Sequence, residues 1–474
     1  MRGGRAGLAI IAAVFLAGCG TSTPPAVRAA PPDPTLPARL VATASGERAV
    51  AHLDRLQAIA AENGGNRALG TPGYDASVEY VAGALREAGF TVDTPSFDVR
   101  SFAVQNQSLT VDGAPVEATV MGFSPATPPA GLTAPLHVLA LDATSGCEAE
   151  DFAGTPAGAI VLAKRGTCPF GAKSQNAKIA GAAGLIVANT DEGPFEGTLG
   201  DLPGTLPTTG VSSSVGDALA AEPGAAVTLV LATTTEQTTS RNVIAQTTTG
   251  DRDRVVMAGA HLDSVPEGPG INDNGTGSAA LLDVALALGP APAAANAVRF
   301  AWWGAEEVGL VGSTRYVEGL APEDARRIAL YLNLDMVGSP NPGYLVYDGD
   351  DSDRVGEGPG PAGSATVEQV LLEQLGAVGV QGSGTDFDGR SDYGPFIEAG
   401  IPAGGLFTGA EETKTDEQAT QWGGRGGAPY DACYHQACDT VANVDRVALD
   451  RNIDALAGTL GRFALTLSGV PERQ

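Results

Sequence analysis

In the second half of the chain three apolar, strand-length runs, residues 255–260, 298–303 and 330–334, each lead into acidic or imidazole side chains: His261 and Asp263, Glu306 and Glu307, and Asp335. Helix-length stretches at 278–288 and 365–375 alternate with these runs, and a last helix covers about 447–467. Near-continuous apolar strands separated by helices predict a sheet that is buried on both faces and largely parallel. Such a sheet binds its ligands beyond the carboxyl ends of its strands, which is where these polar residues fall. The expected fold class is α/β, a mixed, mostly parallel central sheet flanked by helices.

The residues at those ends suit metal chemistry. Asp263 lies two positions past His261, on the same side of an extended segment, where a carboxylate can fix an imidazole from behind. Asp273, in Asn272-Asp273-Asn274-Gly275, opens a helix; taken alone it reads as a cap. That glycine-bearing stretch has no Gly-Lys-Ser/Thr ending and no GxGxxG, so a nucleotide loop is not supported. Adjacent Glu306 and Glu307 cannot both address one ion, so one can ligate while the other serves as a base. His435 sits between Cys433 and Cys438 in a span that a disulfide would turn into a small rigid loop. Two imidazoles and three carboxylates are suitable zinc ligands, and a shared Asp could bridge two ions about 3.5–4 Å apart.

The segments 259–265, 270–275, 301–307, 333–343, 388–392 and 404–409, with Cys433-Tyr434-His435 and the early Asn66-Arg67 and Gly73-Tyr74, closely resemble the secreted bacterial double-zinc leucyl aminopeptidases of the MH peptidase clan. The likeness covers about residues 45–100 and 240–468. It implies two Zn2+ per chain: His261 and Asp335 on one, Glu307 and His435 on the other, Asp273 bridging. It implies Glu306 as general base toward a metal-bridging hydroxide and Tyr434 as hydrogen-bond donor to the oxyanion. The substrate's free amino group would be held by Glu306, Asp335 and the backbone carbonyl of Arg390. Met336 and Phe407 match positions lining the side-chain pocket, which points to peptides with large apolar N-terminal residues such as Leu. Relatives also bind a structural Ca2+. Asp450 and Asp454 match its late ligands, but the early position is Thr43, and first-turn carboxylates on the last helix explain the pair equally well.

Between the two catalytic segments, from about residue 102 to 240, short Val/Leu/Ile/Thr runs broken by Gly and Pro predict a β-rich insert. Gly146-Cys147, Gly158-Ala159-Ile160-Val161-Leu162, Arg165-Gly166-Thr167-Cys168-Pro169-Phe170 and Gly184-Leu185-Ile186-Val187 resemble a protease-associated domain. The organisation expected is a signal peptide over 1–18, a Pro-rich extended tether over 19–44, and a catalytic domain over 45–101 and 241–470 interrupted by the insert at 102–240.

Arg2 and Arg5 precede a short apolar run that ends in Leu16-Ala17-Gly18-Cys19, which resembles the lipobox of bacterial lipoproteins. Cys19 would carry the lipid and hold an exported protein on the outer face of the cytoplasmic membrane, from which it could also be released. Of the three possible pairings of the remaining cysteines, proximity favours Cys147 with Cys168 and Cys433 with Cys438. A net charge of −27, with 28 Lys+Arg against 55 Asp+Glu, argues against nucleic-acid binding. No exposed helical stripe suggests self-association, so a monomer is expected. The rival readings are a same-fold carboxypeptidase or dipeptidase, a one-zinc glutaminyl cyclase, and a surface binding lipoprotein with a vestigial site.

Overall fold

Along the strand Asp251–His261, Val256, Ala258 and Ala260 alternate with Met257, Gly259 and His261, and all six are buried. The first set packs into a large core with Val298, Phe300 and Trp302, and with Leu330, Leu332 and Leu334, from the two flanking strands. The helices Gly46–Glu62, Pro72–Glu87, Gly277–Leu288, Ser364–Ala377 and Arg446–Leu465 cover that face. Met257 faces the other way and joins Ala301, Trp303, Tyr331, Tyr393 and Phe396 in a second, aromatic core. A strand this apolar on both sides must be central, as the sequence pattern requires.

The computed structural model describes residues 1, 3, 4 and 31–473, apart from 194, 196, 201, 203, 355 and 357. Cys19 and the apolar run before it lie outside the described residues. The central sheet has eight strands in the order Thr91–Asp93, Val243–Gln246, Asn296–Trp303, Asp251–His261, Ile328–Leu334, Ala403–Phe407, Leu345–Tyr347 and Ser383–Thr385. The four strands from Asn296–Trp303 to Ala403–Phe407 are mutually parallel, and antiparallel pairing enters on both flanks. The parallel block brings the ends of three strands, at His261, Trp303 and Leu334, to one edge of the sheet.

The insert forms a second eight-stranded sheet. Its two longest strands, Ser96–Val111 and Ala226–Arg241, pair antiparallel from Ser96↔Arg241 to Val111↔Val227 and form the ribbon that joins the two sheets. The expected boundary at 102 therefore falls inside a strand. Just ahead of it, the short strand Thr91–Asp93 belongs to the central sheet, and Ser96 begins the ribbon. The disulfide Cys147–Cys168 lies within the insert, and Cys433–Cys438 in the catalytic part.

One expectation is corrected. Residues 36–43, assigned to an extended tether, form the helix Leu36–Thr43, so among the described residues the first folded element begins at Leu36 and not near 45. Pro37 sits in its first turn, where proline is tolerated, and Leu36 and Leu40, one turn apart, are fully buried in the main core. Gly461 on the last helix lies so close that a Cβ there would stand 2.6 Å from Pro37 Cα. The many prolines upstream hid this short helix.

Candidate active site

Two of the loops that leave the parallel strands, and the disulfide-closed loop ahead of the last helix, turn sharply through residues other than glycine. Ala305, just before Glu306, has φ +60°; Met336, just after Asp335, has φ +47°; His435 itself has φ +56°. Left-handed backbone at such residues is strained by roughly 1–2 kcal/mol each. The strain collects where polar side chains must be turned inward from strand ends.

Those side chains converge. His261 Nε2 lies 3.2 Å from Asp273 Oδ1 and 3.4 Å from Asp335 Oδ1, with Glu306 Oε2 at 3.8 Å. On the other side, His435 Nε2 lies 3.1 Å from Asp273 Oδ2 and 3.1 Å from Glu307 Oε2. Asp273 thus offers one oxygen to each imidazole. Two triads, His261 with Asp273 and Glu307, and His261 with Glu306 and Asp335, keep their ligand atoms within 4.8 Å of one another. Met336, Tyr347, Arg390, Phe407 and Tyr434 are among the other residues that line the cleft around them.

The electrostatics show an excess of negative charge. Burial, then Asp273, raises Glu307 to about 7, and burial with Glu307, Asp392 and Asp335 raises Glu306 well above the carboxylate range. Burial works against ionisation of Asp273, yet the two imidazoles outweigh it and hold its pKa low. Burial likewise disfavours the charged form of His435, but Asp273 and Glu307 bring it up to about 10. Glu307 Oε1, Asp335 Oδ1 and His261 Nδ1 are buried without a hydrogen-bond partner. Unpaired buried carboxylate oxygens are costly unless a cation meets them, and this oxygen and imidazole set suits zinc. The residues fit the metal.

Asp263 sits behind this cluster with a geometry that differs from the expected one. Its Oδ1 is 3.7 Å from His261 Nδ1, too far for a hydrogen bond. Its two oxygens instead accept the backbone amides of Glu306 at 3.2 Å and Glu307 at 3.3 Å, and so fix the loop that carries both glutamates. Sequence reasoning missed two other supports. Asp439 accepts the amides of Asn272 at 2.7 Å and Asp273 at 3.0 Å. Arg67, fully buried, donates to the carbonyls of Leu262, Pro269 and Gly270 around the same loop. A charged residue in an otherwise polar early loop carries no periodic signal, so Arg67 could be found only by resemblance; Asp439 could have been suspected from its place beside Cys438.

Arg390 reaches the rim with its side chain, which bonds Glu411 at 2.9 Å, Glu412 at 3.2 Å and the Tyr434 hydroxyl at 3.3 Å. Asp450 and Asp454 lie on the last helix, away from these groups. Asp450 Oδ1 accepts the Gly46 amide at 2.8 Å, and neither residue belongs to a convergent set of three or more ligand groups among the described residues.

Residues 242–460 match the description "Peptidase family M28" and residues 132–219 the description "PA domain". A probable lipoprotein aminopeptidase, LpqL, of Mycobacterium tuberculosis is 47% identical over 471 residues, which span 98% of this chain and 94% of that protein. The chain belongs to peptidase family M28. It is a metal-dependent peptidase, a hydrolase, with an inserted PA domain. Leucine aminopeptidase 2 of Trichophyton rubrum is 42% identical to this M28 peptidase over 412 residues, covering 86% of this chain and 82% of that one. Among solved structures, a zinc aminopeptidase from Bacillus subtilis matches with a TM-score of 0.57 and 26% identity, over 90% of this chain and 98% of its own.

Proposed function

We propose that this M28 peptidase is an exported two-zinc aminopeptidase that releases large apolar N-terminal residues from peptides. The observation that carries the reading is Asp273, whose two oxygens face two different imidazoles at 3.2 and 3.1 Å. His261 and Asp335 would hold one zinc, Glu307 and His435 the second, and Asp273 both. Zinc in that place supplies Lewis acidity toward the scissile carbonyl and acidifies water.

The chain's own residues do the rest. Glu306, whose proton affinity is raised by burial and by its acidic neighbours, takes a proton from the attacking water as the oxygen bonds to the carbonyl carbon. The carbonyl electrons move onto oxygen, where the Tyr434 hydroxyl donates a hydrogen bond. As the C–N bond breaks, Glu306 returns the proton to the leaving amine. The free amino group of the substrate would rest on Glu306, Asp335 and the Arg390 carbonyl, which confines cleavage to the first residue. Met336 and Phe407, both on the wall of the cleft, give the substrate side chain an apolar contact. The name of the Trichophyton relative supports Leu there, and that of the mycobacterial relative supports a lipid on Cys19 and a place on the outer face of the membrane.

The test is hydrolysis of leucine p-nitroanilide by wild type, Glu306→Ala and chelator-treated protein in parallel. Activity lost to chelator, restored by zinc and lowered at least about 100-fold in Glu306→Ala is expected. Full activity of Glu306→Ala would remove the base from the mechanism, and inactivity of the zinc-loaded wild type would remove the reading.

A further inference from the structure

At the edge of the central sheet opposite the cleft, three arginines line one cavity together with the hydroxyl-bearing Thr466 and Ser468. Arg254 stands near the start of the strand Asp251–His261, Arg326 on the short helix Pro322–Arg327 that leads into Ile328–Leu334, and Arg473 on the segment that follows the last helix. Arg254 pairs with Glu472, which is itself exposed. Arg326 is exposed and has no ion pair among the described residues. Arg473 donates to the carbonyls of Ala325, Ile328 and Ala399, all uncharged acceptors. Burial, and then the charge of Arg326, press its guanidinium below the ordinary range. The nearby Asp253 and Asp324 are both engaged by Arg327. Two adjacent arginines that no described carboxylate neutralises are notable in a chain with 55 Asp+Glu against 28 Lys+Arg. Forked cations with hydroxyls beside them suit a phosphate-type anion.

The N-terminal segment of the fold arrives at the same edge. The Asp33 amide donates to the Ala293 carbonyl at 2.8 Å, the Ala295 amide to Ala464 on the last helix at 2.9 Å, and the Asp251 amide to Ala295 at 2.8 Å. Residues 33, 293–295 and 464 therefore meet at the start of the strand that carries Arg254, and the segment with Arg473 follows directly. About a dozen residues separate Cys19 from Pro31, and a stretch of that length reaches at most about 40 Å. A lipid on Cys19 thus keeps this edge close to a bilayer. The acidic cleft lies at the other end of the strands: from Val255 to His261, at about 3.3 Å per residue, is about 20 Å. That is twice the Debye length of about 10 Å at 0.1 M salt, so the charge of the cleft is largely screened at the arginines.

We propose that this edge docks on an anionic phospholipid surface, with a headgroup phosphate held by Arg326 and Arg473 and a further contact from Arg254. The proposal rests on the lipid-bearing Cys19 of the reading above and not on the zinc ions. Docked this way, the protein points the C-terminal ends of its parallel strands, and with them the cleft, away from the membrane and toward free peptides.

The experiment is co-sedimentation of the unlipidated chain from Gly20 onward with vesicles of phosphatidylglycerol and phosphatidylcholine, and with vesicles of phosphatidylcholine alone. Leaving out residues 1–19 removes no described helix or strand, because the first of them is Leu36–Thr43. Wild type is expected to bind the mixed vesicles at low salt, to bind the neutral ones at least about tenfold more weakly, and to be released as salt is raised. An arginine near an anionic surface strengthens binding about fivefold, so Arg326→Ser combined with Arg473→Ser should bind about 20–30-fold more weakly. Arg326→Glu, at an exposed residue with no bond to lose, should weaken binding to a similar extent, and near-UV circular dichroism shows whether each variant is folded. Wild type that ignores the mixed vesicles, or folded variants that bind them within about threefold of wild type, would overturn the proposal. Inorganic phosphate that raises the melting temperature of wild type while vesicles stay unbound would show a free-anion site and overturn the docking as well. A Cys19 found without lipid would remove the anchor from the reading above, and the vesicle result would still decide whether this edge binds headgroups.

Discussion

The Tyr434 ring lies flat against the His435 imidazole, with centroids 3.9 Å apart and planes at 23°. Two neighbours in sequence can stack this way because His435 has left-handed backbone and the Cys433–Cys438 disulfide closes the loop around them. The stack places the Tyr434 hydroxyl over the cleft, and the Arg390 guanidinium, a donor only, leaves the phenol proton free to point inward. Tyr434→Phe keeps the ring contact and removes only that donor. The expected result is a fall in kcat of about 100-fold with KM for leucine p-nitroanilide little changed, the pattern of an interaction made in the transition state. A rise in KM at constant kcat would assign Tyr434 to substrate binding.

The same loop predicts a redox sensitivity of metal binding. His435 is held by a ring that the disulfide closes over a separation of only 5 residues, and it is 40% exposed at its side chain. Cys433→Ser with Cys438→Ser should leave the fold intact while loosening the His435 side of the site. Zinc release during dialysis should become faster for one of two ions, and unchanged release of both would show that hydrogen bonds such as that from the Cys433 amide to Asp431 Oδ1, at 2.8 Å, hold the loop unaided.

Asp263 offers a separate test, since both its oxygens serve backbone amides of the loop that bears Glu306 and Glu307. Asn at this position has one acceptor and one donor group, so one of the two amides must lose its partner inside the protein. Asp263→Asn is expected to lower kcat by about 10-fold or more through displacement of Glu306, and to weaken zinc as well. A variant with wild-type kcat and zinc content would reduce Asp263 to a filler of space.

Protons and zinc compete for the same atoms. Without metal, Glu307 titrates at about 7 and His435 at about 10, so near neutral pH the site holds protons that zinc must displace. Apparent zinc affinity should therefore rise with pH from about 6 to about 9. Calorimetric heats of zinc binding at pH 7 should depend on the ionisation heat of the buffer, and buffer-independent heats would contradict this protonation state.

Much of this architecture is legible in the sequence because it rests on periodicity and on strand ends. The apolar runs before His261, Glu306 and Asp335 had to be buried strands, and their parallel order brings the three ends together. What the sequence hid has physical reasons. The Leu36–Thr43 helix is too short and too rich in flanking proline to show a repeat, although Leu36 and Leu40 bury fully. The supports at Arg67 and Asp439 act through hydrogen bonds to backbone groups of segments far away in sequence, which leave no spacing to read. The different partners of Asp263 follow from side-chain direction at a strand end, which a two-residue spacing narrows but does not fix.

Glu368 lies outside the site and bears on stability. Its carboxylate is buried against the 348–353 loop, where Oε2 accepts the Gly349 amide at 2.8 Å. Burial, together with Asp348 and Asp350, raises it to about 7 from an ordinary value near 4.5. The folded protein thus keeps this proton to a higher pH than the unfolded chain does. Its contribution is complete below about pH 4.5 and is lost as pH climbs through about 7. Glu368→Gln retains an acceptor for Gly349 and carries no charge. Its melting temperature should equal that of wild type near pH 4.5 and exceed it at pH 8. The gain at pH 8 should be about 1 kcal/mol, because the loop is partly exposed and solvent screens the carboxylates. Thermal unfolding at the two pH values measures this directly, and a variant less stable than wild type at pH 8 would mean that the charged carboxylate is favoured there by a cation the three acidic groups share.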